Sequence, residues 1–207
     1  KKIFFPSTIG IYGQSTPKQN TQQHTSFEPE TMYGITKYTG ELWSAYYNKK
    51  YGMDIRSLRY PGVISYQSRP HGGTTDYAVD IFFEAVENGK YECYLSKDTA
   101  LPMIYMPDMI RATLMLMTAP KDALTIDMSY NLAGFSVTPD KLHQEIKKHI
   151  PDFQVSYKPD HRQQIAESWT ESIEDYYAQK DWNWSPKYTI ETMTKDMLSH
   201  ISIPKKP

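Results

Sequence analysis

The sequence predicts an α/β fold, and three observations carry that prediction. Apolar runs of strand length alternate with segments of helical apolar spacing, Gly, Asn or Pro punctuates the junctions, and no repeat or low-complexity tract breaks the alternation. Ile3–Phe5 form a short apolar run broken by Pro6-Ser7-Thr8, and Gly10-Ile11-Tyr12-Gly13 leads into a polar stretch through Glu30, which reads as a strand end and a long loop. Between Tyr33 and Tyr51, Ile35, Tyr38, Leu42, Ala45 and Tyr46 recur near helical spacing; Gly52 supplies a stop, and Ile55–Tyr60 reads as the next strand. A loop over Pro61–Thr75 precedes a helix over Asp76–Glu87, closed by Asn88-Gly89, and then a strand over Tyr91–Leu95. Met103–Tyr105 is a short apolar run; Pro107-Asp108 then opens a buried helix carrying Met109, Ala112, Leu114, Met115 and Leu116.

Further along, Leu124–Met128 looks like a strand. Thr138-Pro139 makes an N-cap and first-position pair for a helix through Ile150, with Leu142, Ile146 and Ile150 on one face and Pro151 as the stop. Phe153–Tyr157 reads as a strand, Ser172–Gln179 as a short helix, and Ile190–Ile201 as a terminal amphipathic helix carrying Met193, Met197 and Leu198. The main body is expected to run to about residue 125, with residues 126–207 mainly a smaller lobe from which segments return to it.

The 207 residues suffice for a substantial core without staples. With 23 Lys plus Arg against 24 Asp plus Glu, no global field recruits nucleic acid or an anionic membrane. One cysteine, Cys93, excludes an internal disulfide and any cysteine-only metal cluster, and its simplest role is burial. The opening KKIFFPSTIG carries too few apolar residues for a signal segment or membrane span, so a cytoplasmic location is expected. The six histidines are dispersed without H-E-x-x-H or paired-cysteine spacing, and no metal is expected. Arg59 and Arg69 read by default as solvated, Trp43 and Trp169 as core or interface aromatics, and Asp108 as a helix-start residue accepting exposed N–H groups.

Chemistry concentrates near the start. Tyr33 and Lys37, four positions apart, share one helix face, where a protonated amine stabilises a tyrosinate. Y-x-x-x-K alone is weak among 17 tyrosines. Its context strengthens it: Ser7-Thr8 close the preceding strand, a glycine-containing turn follows, and Arg59-Tyr60-Pro61-Gly62-Val63 closes the next.

On PSTIGIYG at 6–13, YGITK at 33–37 and RYPG at 59–62, the chain resembles the extended short-chain dehydrogenase/reductase superfamily, the NAD-dependent epimerases and dehydratases. HGGTTDYAVDIFFEA from His71, LPMIYMPDMIRAT from Leu101, and HRQQIAESW followed by DWNWSP are similar to its short-chain L-threonine 3-dehydrogenase branch. The resemblance implies a Rossmann-like fold with a smaller substrate lobe, NAD as cofactor, and oxidation of L-threonine to 2-amino-3-oxobutyrate. Tyr33 would take the alcohol proton as hydride leaves for the nicotinamide; Lys37 would support the tyrosinate and bind the nicotinamide ribose; Thr8 and Ser7 would hold the alcohol or developing carbonyl oxygen. Ser7, Tyr33, Lys37, Tyr60, Pro61, Gly62 and Val63 would lie against the cofactor, the last four mainly through backbone. Gly73, Thr74 and Thr75 would address the amino-acid end of the substrate, and Leu101 and Met103 would line its pocket. The helices over 33–51 and 76–87 would supply a homodimer surface.

The departure from the family pattern is that no G-x-x-G-x-x-G follows an N-terminal strand, and Gly10–Gly13 does not replace it. The chain is therefore expected to be the C-terminal part of a longer enzyme, with KKIFF an interior strand and the dinucleotide-binding half missing. Two other readings stay open: a nucleotide-sugar epimerase or dehydratase built on the same tyrosine and lysine, and a catalytically inactive structural fragment.

Overall fold

The computed structural model describes residues 1–201. Its α/β architecture rests on a parallel sheet with strands β1 (Lys2–Thr8), β2 (Asp54–Tyr60) and β6 (Tyr130–Asn131) in that order. α1 (Met32–Tyr51) makes the crossover from β1 to β2, whose register places Thr8 beside Tyr60. Alternation along β2 assigns its two faces: Ser57 and Arg59 reach the α1 side, while Leu58 packs with Ala112 and Leu116 of α3 (Met106–Thr118) and Ala178 and Trp182 of α6 (Tyr176–Trp182).

A second sheet orders β3 (Gly62–Ile64), β5 (Leu101–Tyr105) and β7 (Phe135–Val137), with β3 parallel and β7 antiparallel to β5. β4 (Lys90–Cys93) pairs with β8 (Gln154–Tyr157). Between these lies the largest apolar cluster, built from α2 (Tyr77–Glu87), α4 (Pro139–Lys147), α7 (Ile190–His200) and β5, with Phe82, Leu142, Ile146, Met193 and Met197 in it; the buried methionines fill core. Cys93 is fully buried there. The segment after position 125 contributes one strand to each of the three sheets.

Several local expectations differ from what forms. Residues 124–128 make no strand: the N–H and hydroxyl of Thr125 donate to Asp181 and the N–H groups of Thr125 and Ile126 meet the Tyr130 hydroxyl, so side chains take the bonds a ladder would use. Gly62–Ile64, read as loop, pairs with β5. The helix expected over 172–179 begins only at Tyr176, because Ser172 and Glu174 bond the backbone of Thr21 instead. A separate α5 (Arg162–Ser168) precedes it. Asp108 does not cap its own helix; its buried carboxylate accepts from Arg111 and from the N–H groups of Lys187 and Tyr188 across the core. α2 buries its apolar face (Tyr77, Ala78, Ile81, Phe82, Ala85), whereas α1 leaves Leu42, Trp43, Tyr46 and Tyr47 exposed, so of the two helices expected at a dimer surface only α1 presents an open apolar face.

Candidate active site

The C-terminal ends of β1 and β2 face a cavity of about 470 Å³, at the edge of a parallel sheet where crossovers leave room for a ligand. Pro6, Ser7, Thr8 and Ile9 enter it from β1; Thr31, Tyr33 and Lys37 from the start of α1; Tyr60, Pro61, Gly62 and Val63 from the β2–β3 junction; Gly73, Thr74 and Thr75 from the loop before α2; and Ile165 and Trp169 from α5 and the residue that ends it.

Close packing aims Tyr33 at this space. Thr31 caps α1 by accepting the Gly34 N–H at 3.0 Å, and Gly34 sits so tightly on the turn after β1 that a Cβ there would lie 2.1 Å from the Gly10 carbonyl oxygen. The Tyr33 ring thus lies over Gly10, with the residue half exposed. One turn on, the Lys37 ammonium donates to the Pro6 carbonyl at 2.7 Å and sits 5.7 Å from the Tyr33 ring centroid.

The two hydroxyls of β1 differ in what they offer. Thr8 Oγ1 accepts the Gly10 N–H at 3.1 Å, which leaves its own proton to be donated into the cavity. Ser7 donates at 2.5 Å to Glu41 Oε1, so its proton is committed inward and only its lone pairs remain for a ligand. Glu41, fully buried one turn beyond Lys37, also accepts from Arg59 Nε and from the second guanidinium nitrogen at 2.9 Å. Arg59 completes its shell with the Gln23 carbonyl and Asn131 Oδ1 and lies 4.4 Å from the Phe27 ring. Tyr12 donates to the same Asn131 oxygen at 2.7 Å, and burial pushes its phenol up to about 12. Arg59 is therefore the buried anchor behind the site and not a solvated arginine. Arg69 pairs with Glu84 and Glu87, outside the cavity.

On the opposite wall, Asp76 Oδ2 gathers the N–H groups of His71, Gly72 and Gly73, and Tyr94 donates to the Gly73 carbonyl at 2.9 Å. Gly72 holds φ at +101°, a conformation that favours glycine. Bare backbone is required at Gly62, where a Cβ would lie 2.3 Å from Met103 Sδ and 2.8 Å from Thr75 Cβ. Tyr60 turns its hydroxyl away to Thr113, leaving backbone at the junction.

Eleven of the expected site residues thus meet in one cavity. Leu101 and Met103 do not: both are fully buried because β5 is covered on both faces, and Met103 sits behind Gly62. Trp169, expected in core or interface, is half-buried and forms a wall of the cavity. Ile165 and Thr31 were not anticipated. The available signal was HRQQIAESW itself, whose Ile165 and Trp169 are four positions apart at the end of a short helix. Among the described residues, no group of three or more His, Cys, Asp or Glu is arranged to hold a metal ion, and no helix is long and apolar enough to cross a membrane.

Residues 1–133 match the family model described as the NAD dependent epimerase/dehydratase family. The chain belongs to that family. It is 48% identical over 200 residues to an uncharacterized epimerase/dehydratase of Staphylococcus haemolyticus, covering 96% of this chain and 63% of that protein. It is 47% identical over 199 residues to the mitochondrial L-threonine 3-dehydrogenase of Bos taurus, covering 96% of this chain and 53% of that enzyme. Among solved structures, the holo form of the GalE-like L-threonine dehydrogenase of Cupriavidus necator superposes with a TM-score of 0.96 at 49% identity, over 98% of this chain and 66% of that one. The chain spans 53% to 63% of the length of these curated relatives, and its fold is the α/β Rossmann-like fold of the family.

Proposed function

We propose that the whole protein oxidises the 3-hydroxyl of L-threonine to the ketone of 2-amino-3-oxobutyrate with NAD, and that this chain carries the proton-transfer and substrate-holding part of the site. One observation carries the reading: Tyr33, Lys37 and Thr8 share a cavity with Gly73, Thr74 and Thr75, in a chain nearly half identical to threonine dehydrogenases.

The residues present fit a nicotinamide group. Pro61 and Gly62 border the cavity at the β2–β3 junction, where the Tyr60 hydroxyl is turned away and leaves backbone, and Lys37 lines the same cavity with an ammonium suited to ribose hydroxyls. Bound NAD supplies the acceptor for the hydride that leaves C3. Tyr33 takes the hydroxyl proton, so that loss of one hydride and one proton turns the alcohol into the ketone. The Lys37 ammonium, 5.7 Å from the Tyr33 ring centroid, places positive charge beside the tyrosine in this step, and Thr8 donates to the substrate oxygen as the carbonyl forms. Ser7 accepts from a substrate or cofactor N–H or O–H, because Glu41 holds its proton. Gly73, Thr74 and Thr75 address the carboxylate and ammonium through backbone and hydroxyl groups, in a loop that Asp76 keeps folded. We assign the adenosine and pyrophosphate contacts to the length of the relatives that lies outside the match. The division into a cofactor-side body to about residue 125 and a substrate-side segment beyond it belongs to the same proposal, since Ile165 and Trp169 reach the cavity from the second.

A homodimer through the exposed aromatic face of α1 is proposed on Leu42, Trp43 and Tyr46. A cytoplasmic, reducing location suits a single buried free thiol. The test of the chemistry is Tyr33→Phe in the whole protein: turnover with L-threonine falls by about 10²–10⁴-fold, the range a positioned proton acceptor contributes, while NAD titration is unchanged. Turnover within twofold of the parent refutes the assignment.

A further inference from the structure

Trp169 lines two cavities at once. One is the candidate active site; the other, about 310 Å³, is polar and is lined by Ser96, Asp98, Thr99 and Glu167 among others. Trp169 is therefore common to both walls.

This shared residue is held by its backbone. The N–H of Trp169 bonds the Ala166 carbonyl at 3.2 Å, and the Lys18 ammonium donates to the successive carbonyls of Glu167, Ser168 and Trp169 at 2.9, 2.8 and 3.1 Å. Lys18 in turn accepts the Glu171 N–H at 2.7 Å on its own carbonyl, so the loop after β1 is stitched to the chain on both sides of the tryptophan. The indole also packs against two apolar clusters, one from the core and one from Ile9, Ile11 and Tyr12. A group fixed in this way acts as a rigid wall rather than as a lid.

The chemistry of the cavity then allots the parts of a hydroxy amino acid. Thr8 and Tyr33 take the oxygen, and Gly73–Thr75 take the charged end. The apolar surface of Ile165 and Trp169 is left for the substituent on C3. Resting on the function proposed above, we propose that Trp169 is the specificity-determining residue that limits this substituent to about the size of a methyl group, by closing the active site off from the second cavity.

The test uses the whole protein with Trp169→Ala and, because truncating a half-buried indole endangers folding, also Trp169→Phe. The readout is kcat/KM for L-threo-3-phenylserine divided by that for L-threonine. A pocket that discriminates by fit alone separates substrates by about 10–200-fold, so the ratio is expected to rise by about tenfold or more in Trp169→Ala and by less in Trp169→Phe. An unchanged ratio in whichever variant folds overturns this inference and leaves the proposed reaction standing. Wild-type protein that converts a nucleotide sugar and no 3-hydroxy amino acid overturns both.

Discussion

Replacing Glu41 by Leu removes one partner of an ion pair in which both side chains are essentially inaccessible, 0% for Glu41 and 1% for Arg59. Arg59 would keep its bonds to the Gln23 carbonyl at 3.1 Å and Asn131 Oδ1 at 2.9 Å, and its place against Phe27, but would hold a full charge with no anion near it. Breaking a buried pair from one side costs about 3–5 kcal/mol, because the remaining charge is still desolvated. With a urea slope of about 2 kcal/mol/M, that corresponds to a midpoint lower by roughly 1.5–2.5 M. The double variant Glu41→Leu/Arg59→Met removes both charges at similar volume, and is expected to regain most of the loss. Urea unfolding followed by circular dichroism reads all three proteins. A Glu41→Leu midpoint within about 0.5 M of the parent, about 1 kcal/mol on the same slope, refutes the reasoning, as does a double variant no more stable than the single one.

Other outcomes follow from the same structure. Gly34→Ala forces a Cβ to within 2.1 Å of the Gly10 carbonyl, so α1 must shift at its start; a loss of about 1–3 kcal/mol is expected by thermal unfolding, together with reduced turnover, since Tyr33 moves with it. Lys18→Met deletes three hydrogen bonds from one ammonium and should cost about 1–3 kcal/mol in urea, with faster proteolysis between residues 160 and 175. Burial pushes the Cys93 thiol up to about 11, so at pH 8 only about one molecule in a thousand carries the reactive thiolate. A thiol reagent should therefore label the native chain far more slowly than the urea-unfolded one. Because the folded value is the higher one, Cys93 favours the fold below its ordinary value of 9.0, and that contribution is lost as the pH rises toward 11.

Where apolar spacing was long and bounded, the sequence was legible. α1 was placed to within a residue by its spacing and the Gly52 stop, and α2 by its amphipathic run before Asn88-Gly89. Short elements were not, because their backbone bonds depend on distant partners. Leu124–Met128 has the composition of a strand, yet Asp181 and Tyr130 take its N–H groups. Gly62–Ile64 has the composition of a loop, yet finds β5. In the site, the residues near one another in sequence motifs were recoverable: Ser7, Thr8, Tyr33 and Lys37 by residue type and spacing, Gly73–Thr75 only through the family resemblance. Glu41 and Arg59 were not recoverable as a pair, since burial and pairing across α1 and β2 are tertiary facts, and a lone Glu on a helix gives no sign that it will be inaccessible. Leu101 and Met103, carried over from a similar segment, lie buried in β5 and are not among the residues that line the cavity, because the burial of both strand faces is a tertiary fact.

The most direct test of the central claim is NADH formation by purified whole protein supplied with NAD and either L-threonine or a UDP-sugar. The account requires one NADH per threonine oxidised, and none with the sugar. Absence of NADH with threonine, together with interconversion of the sugar while the nicotinamide stays bound and is recycled, would contradict it.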